Sequence, residues 1–221
     1  MSSPRVVAID GASGSGKSTL ARSLARALEL PYVNTGLMYR AVAAAAVRAG
    51  VPPGDDIAVL ELTRGLRFIL RVTPPGELEV EGYQLEELMS VEVESTVSAV
   101  ASHPMVRAHM RREQRQLGDA HGAVMEGRDI ASVVFTDAPV KLYLHAPTEL
   151  RAGRRARERA TAAGVDEVAS ALVARDEHDA RTNPHEPAPG AALLDTSELD
   201  PAETLDAALA VVRERAPELV P

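Results

Sequence analysis

Residues 6–25 read Val6-Val7-Ala8-Ile9-Asp10-Gly11-Ala12-Ser13-Gly14-Ser15-Gly16-Lys17-Ser18-Thr19-Leu20-Ala21-Arg22-Ser23-Leu24-Ala25. An apolar run of strand type leads into a complete G-x-x-x-x-G-K-S loop. Leucine and alanine at helical spacing follow it. Strand, glycine-rich loop and helix in this order form a phosphate-binding loop. The pattern predicts a strand over Val6–Ile9 and a helix from about Ser18 to Leu28. Gly11, Gly14 and Gly16 allow close approach of a ligand to the backbone. The amides of Gly11 to Thr19, through Ala12, Ser13, Gly14, Ser15, Gly16, Lys17 and Ser18, can then face phosphate oxygens. The helix adds free N–H groups and the positive end of its dipole. Lys17 is expected on the β- and γ-phosphates and the Ser18 hydroxyl on Mg²⁺. Only two of the 24 basic residues are lysines, Lys17 and Lys141, and one of them stands where the loop requires it.

The bulk numbers narrow the class. A chain of 221 residues, 45% hydrophobic and 25% charged, suits one large globular domain or a core with inserted subdomains. No apolar run approaches the ~18 residues of a membrane span. The amino-terminal residues lead into a strand without the shape of a signal peptide. The absence of cysteine excludes disulfides and thiolate metal sites. A cytoplasmic enzyme is expected, with no membrane partner. The net charge of −8 argues against a nucleic-acid partner. Any further anion site must therefore come from clustered arginines.

Along the chain, strands alternate with helices. A short strand is expected within Pro31–Asn34, and a helix from Leu37 through the alanine run to Ala49. Ile57–Leu66 reads as a helix. Arg67–Val72 and Glu77–Glu81 alternate like a hairpin, with Gly82–Leu88 continuing it. Glu92–Val100 and a long segment from His103-Pro104 through Leu117 read as helices. Gly122–Met125, Val140–Leu144 and Ala191–Leu194 read as strands. An arginine-dense helical region lies between Pro147 and Asp179, and a closing helix over Pro201–Arg215. This order predicts an α/β fold with a parallel sheet covered on both faces.

Further segments carry more than fold. They are Tyr32-Val33-Asn34-Thr35-Gly36-Leu37-Met38-Tyr39-Arg40, then Glu126-Gly127-Arg128-Asp129, then Val133-Val134-Phe135-Thr136-Asp137-Ala138-Pro139-Val140-Lys141. The cluster Arg151, Arg154, Arg155, Arg157 follows, then Arg175-Asp176-Glu177-His178-Asp179-Ala180-Arg181. Taken together and in this order, they resemble the bacterial cytidylate (CMP) kinases of the type 1 family over nearly the whole chain. The resemblance implies a P-loop NTPase fold of the nucleoside monophosphate kinase type, with a five-stranded parallel sheet. It implies a core over about 1–36, 116–149 and 183–221, an acceptor-binding subdomain over about 37–115, and a helical lid over about 150–182. The implied reaction moves the γ-phosphoryl group of ATP to CMP or dCMP, with Mg²⁺ as cofactor, in a monomer.

By motif position, the resemblance puts Arg40 and Arg128 on the CMP α-phosphate, with Thr35 also in the acceptor site. Ser98, Arg107 and Asp129 face the cytosine. Arg175 and Asp179 face the ribose, and Arg181 supplies a third phosphate contact. Lys17, Arg128, Arg151, Arg154 and Arg157 act on the phosphates during transfer. Glu126 is expected to hold Mg²⁺ through water. Two departures stand out: Asn34 takes a place where the family usually has Asp, and Arg181 lies one residue closer to Asp179 than the pattern leads one to expect.

The chemistry of these side chains agrees with those roles. Cytosine presents an N4 amino donor beside N3 and O2 acceptors. A carboxylate suits the first and a guanidinium the others. Uracil reverses O4 and N3, and both contacts become repulsive. Arginine's planar fork suits phosphate. AMP, UMP and a hydroxy acid such as shikimate are the competing acceptors. A GTPase reading lacks an Asn-Lys-x-Asp guanine-reading segment.

Overall fold

The computed structural model describes residues 4–72, 76–159 and 186–221. The described residues form seven strands and eight α-helices. They are β1 (Val6–Gly11), α1 (Lys17–Ala27), β2 (Tyr32–Asn34), α2 (Thr35–Ala49), α3 (Asp56–Arg64), β3 (Phe68–Leu70), β4 (Leu78–Val80), α4 (Leu85–Leu88), α5 (Val91–Ser102), α6 (Pro104–His121), β5 (Ala123–Gly127), β6 (Val140–His145), α7 (Thr148–Arg159), β7 (Ala192–Asp195) and α8 (Pro201–Arg215). A single π-helical turn, Ile130–Val134, follows β5.

The main sheet has the order β2-β5-β1-β6-β7, and every pairing in it is parallel. β1 is central, with Val7 opposite both Val124 and Val140. Successive β1 residues face opposite ways. Val6 and Ala8 join a core with α2, α5 and α6, whereas Val7 and Ile9 join a core with α1 and α8. Both faces of the sheet are thus covered, which is why its strands read as continuous apolar runs rather than alternations. The parallel arrangement also brings the carboxyl ends of all five strands to one edge. In open α/β sheets that edge carries the ligand site.

Among the described residues the expected strand and helix positions hold to within a few residues, with one change of type; of the helical region expected between Pro147 and Asp179, the part beyond Arg159 lies outside the described residues. Residues 82–88 do not continue the hairpin: Leu85–Leu88 forms a short helix instead. The hairpin itself is the antiparallel pair β3–β4, and it joins the core where Tyr32 N–H donates to the Gly76 carbonyl at 2.8 Å. Its Pro74-Pro75 turn lies outside the described residues. The π-turn at Ile130–Val134 carries no sequence signal: it is closed by local bonds from Val134 N–H to the Asp129 carbonyl and from Phe135 N–H to the Ile130 carbonyl, and its first two amides are capped from another strand.

Asn34 caps α2, its side-chain oxygen accepting from Leu37 N–H at 3.3 Å. Asn and Asp serve almost equally well at this position. The helix end is therefore kept although the charge is not.

Candidate functional site

The loop after β1 is built for close approach. A Cβ on Gly11 would stand 2.5 Å from the Leu144 carbonyl oxygen. Gly14 has φ +75°, and a Cβ there would stand 2.8 Å from the Arg151 carbonyl oxygen. The loop ends on Gly16, which precedes α1 without any capping side chain, and no acidic residue occupies the helix's first turn. A helix start of this kind, with its N–H groups and positive dipole end, is a common anion site. Within the same loop the Ser15 hydroxyl is buried and has no hydrogen-bond partner among the described residues. Lys17 Nζ folds back and donates to the Ala12 carbonyl at 2.8 Å. A cationic amine, a cradle closed to side chains and an unused hydroxyl together suit a polyphosphate.

The arginines of α7 divide into two kinds. Arg151 is buried and fastens the loop from outside. It donates to the carbonyls of Ser13 and Ala146, each at 3.0 Å, and to Thr148 Oγ1 at 2.9 Å. Arg154 donates to Thr196 O at 2.6 Å and Thr196 Oγ1 at 3.0 Å, beside the Ser15 carbonyl at 3.4 Å. Arg157 is exposed. Arg154 and Arg157 line a cavity of about 350 Å³ with Gly14, Gly16, Thr19 and Leu199.

A second group stands at the ends of β2 and β5. Glu126 is 4% exposed, and its Oε1 accepts from the Tyr32 hydroxyl at 2.7 Å. Ser18 lies against the same phenol. Burial, followed by the Glu126 charge, holds the Tyr32 hydroxyl protonated far above the usual phenol range. Thr35 Oγ1 donates to the Glu126 carbonyl at 2.7 Å and ties α2 to β5. Tyr32 drew no functional notice in the sequence. Its one signal there is a hydroxyl-bearing side chain in a strand that ends beside the loop.

A third group lies between α2, α5, α6 and the residues after β5. Arg107 and Asp129 are both buried, and Arg107 Nη2 donates to Asp129 Oδ2 at 2.6 Å. Tyr39 packs near both. Burial and then the Asp129 charge push its hydroxyl up to about 12. Ser98 is partly buried on α5, which packs against α6. Arg40, also buried, donates to the Leu88 carbonyl at 3.0 Å and lies 3.7 Å from Glu94. Arg128 Nη1 donates to the Gly11 carbonyl at 3.3 Å, the first residue of the phosphate loop.

Residues 7–214 match the family model described as cytidylate kinase. The chain belongs to the cytidylate kinase family. It is 43% identical over 220 residues to the cytidylate kinase of Acidiphilium cryptum, covering 97% of this chain and 98% of the other. It is 41% identical over 224 residues to that of Mycolicibacterium paratuberculosis, with 97% and 98% covered. It is 43% identical over 210 residues to that of Thermus thermophilus, with 94% and 98% covered. As a family member, it has the P-loop nucleoside monophosphate kinase fold, built on a five-stranded parallel sheet.

For a cytidylate kinase family chain, the site residues read from the sequence fall into two groups. Gly11 to Thr19, Arg151, Arg154 and Arg157 lie together around the loop and its neighbouring cavity. Arg40, Ser98, Arg107 and Asp129 lie among α2, α5, α6 and the residues after β5, with Thr35 tied to β5 and Arg128 to Gly11. Arg175, Asp179 and Arg181 lie outside the described residues. Besides Tyr32, sequence reasoning missed Asp10 and Thr196. Thr196 Oγ1 lies within bonding distance of both the Ser15 and His145 carbonyls, at 3.1 and 3.2 Å, and so ties the loop to β6. No helix among the described residues is long and apolar enough to cross a membrane.

Proposed function

We propose that the chain moves the γ-phosphoryl group of ATP to CMP or dCMP, giving ADP and CDP or dCDP. The observation that carries this is the bond from Arg128 to the Gly11 carbonyl at 3.3 Å. It sets an acceptor-side arginine against the first residue of the phosphate loop, so the two nucleotides meet end to end. Family membership supports the same reaction.

Phosphoryl transfer needs positioning and charge neutralisation more than covalent help. On the donor side, the loop amides and Lys17 hold the β- and γ-phosphates, and the cavity lined by Arg154, Arg157, Thr19 and Leu199 receives the nucleoside end of ATP. Arg151 holds the shape of the loop. On the acceptor side, Arg40 and Arg128 take the CMP phosphate, with Thr35 beside them, and Arg181 adds a third guanidinium. Asp129 accepts from the cytosine N4 amino group, while Arg107 donates to N3 and O2 and Ser98 completes the base pocket. Arg175 and Asp179 take the ribose. The Arg107–Asp129 bond keeps both side chains aligned before the base arrives, so little order has to be created on binding.

Mg²⁺ suits the oxygen donors around Ser18. A hard cation of this kind keeps several waters and takes one or two protein oxygens beside substrate phosphates. The Ser18 hydroxyl would hold it directly and the buried Glu126 carboxylate through water. When bound, it neutralises charge on the β- and γ-oxygens. Tyr32 orients Glu126 for that task by donating to Oε1.

The division into core, acceptor subdomain over about 37–115 and lid over about 150–182 belongs to the same proposal, as do a monomeric state and a cytoplasmic location. A coupled assay of ADP release tests the function. ATP–Mg²⁺ is offered with CMP, dCMP, UMP, AMP or shikimate in turn. Turnover is expected with CMP and dCMP well above the rest; preference for AMP or shikimate would replace this proposal.

A further inference from the structure

The penultimate residue of β1 is ionisable, and the sheet buries it. Asp10 is 3% exposed, and each of its carboxylate oxygens accepts one backbone N–H. Oδ1 accepts from Ile130 and Oδ2 from Ala131, both at 2.8 Å. These are the first two N–H groups of the π-turn. Such groups at the start of a helical segment lack partners within it. Their usual acceptor is the side chain of the preceding residue, and aspartate is among the best at that position. The preceding residue here is Asp129, yet its side chain makes no capping bond. It points instead to Arg107 at 2.6 Å. The capping work is done from a different strand.

We propose that Asp10 is a positioning residue for the acceptor: by capping the turn from β1, it releases the Asp129 carboxylate to face Arg107 and the base. The neighbouring Gly11 carbonyl holds Arg128 in the same way. Two successive residues at the root of the phosphate loop therefore set the direction of both Arg128 and Asp129. A valine at position 10 would suit a buried strand better, since a buried carboxylate is costly unless its hydrogen bonds are made. Here both oxygens are used, and on successive amides. Asp10 touches neither nucleotide in this arrangement. It acts through the turn that it holds.

The inference rests on the CMP kinase proposal above, and Asp10→Asn separates the two. Asparagine keeps one acceptor oxygen but turns an NH₂ group toward the second amide. Asp129 then becomes the better cap and leaves Arg107. Steady-state kinetics should show the KM for CMP raised about tenfold, the loss of roughly one charged hydrogen bond. The KM for ATP should stay within about twofold, since the loop amides and Lys17 are untouched, and the preference for CMP over UMP should shrink about fivefold. Equal rises in both KM values, or an unchanged CMP/UMP preference, would overturn the positioning role. Wild-type protein that releases no ADP with CMP sinks the kinase proposal itself. Should Asp10→Asn fail to fold, amide exchange in the wild-type protein decides instead. Ile130 and Ala131 amides should exchange slowly without nucleotide; exchange at the rate of open loops would overturn the inference.

Discussion

Arg107 and Asp129 are bonded at 2.6 Å, although one lies on α6 and the other follows β5. Both are buried, each 8% exposed. A buried ion pair is a poor source of stability, since desolvation offsets most of its attraction, but removing one partner strands the other. In the proposed function the pair is a binding device kept ready at some cost.

A double-mutant cycle on this pair should therefore show strong coupling. Arg107→Ala and Asp129→Ala are each expected to lower unfolding stability by about 3 kcal/mol. The double variant should lose markedly less than the sum. Asp129→Ala should also raise the KM for CMP and erode discrimination against UMP. Denaturant unfolding and competition kinetics measure both effects. Additive losses, or an intact CMP/UMP preference, would remove the pair from base recognition.

Lys17→Ala should act differently. Its amine donates to the Ala12 carbonyl at 2.8 Å within the loop, and the proposed function turns it to a phosphate. The variant should lose about 10²–10³ in kcat with every acceptor, the scale of one lost charge-stabilising donor. The KM for CMP should hardly move. A normal kcat would contradict the role given to this lysine.

Tyr32→Phe removes the hydroxyl that Glu126 accepts from at 2.7 Å. A buried carboxylate left short of a donor should cost about 1–3 kcal/mol. The Mg²⁺ concentration for half-maximal rate should rise as well, because the acid loses its orientation. Loss of stability with an unshifted magnesium titration would leave Tyr32 a purely structural role.

Gly14→Ala should damage the donor side alone. The new Cβ would stand 2.8 Å from the Arg151 carbonyl, at φ +75°. Backbone strain of this kind costs on the order of 1–3 kcal/mol. The expected result is a lower melting temperature and a raised KM for ATP, with CMP binding by calorimetry near the wild-type value. An unaltered KM for ATP would mean that the loop accommodates the methyl group.

Asp10 gives a pH signature in stability. Burial raises its pKa from 3.8 to about 6, against the lowering effect of the Ile130 and Ala131 amides; Asp129 adds to the rise and Lys17 opposes it. A carboxyl group held more tightly protonated in the folded state stabilises the fold at low pH. That contribution is lost as pH climbs through about 6. Between pH 5 and pH 7 the wild-type protein should lose roughly 1.4 kcal/mol from this group. Asp10→Asn cannot titrate. The stability difference between the variant and wild type should therefore shift in the variant's favour by that amount over the same interval. A difference that stays flat from pH 5 to pH 7 would show that Asp10 does not titrate there.

Much of this molecule is written in runs of neighbouring residues. The glycine loop, its lysine, the apolar strand before it and the helix after it are local patterns. Local patterns are legible because backbone freedom and amphipathic spacing act over a few residues. Alternating strands and helices then led to a parallel sheet, and the arginine and aspartate types suggested which chemistry they serve. Partnership is different. The bond from Ile130 to Asp10 spans 120 residues, and that from Tyr32 to Glu126 spans 94. Each depends on the register of β1, β2 and β5, set by packing on both faces of the sheet rather than by any nearby signal. The same holds for Arg151, whose grip on the Ser13 carbonyl joins residues 138 apart. The ordered motifs, through their resemblance to a known family, could name the groups for two nucleotides; only the folded sheet decided which of them touch the loop, which orient one another, and which aspartate holds the turn.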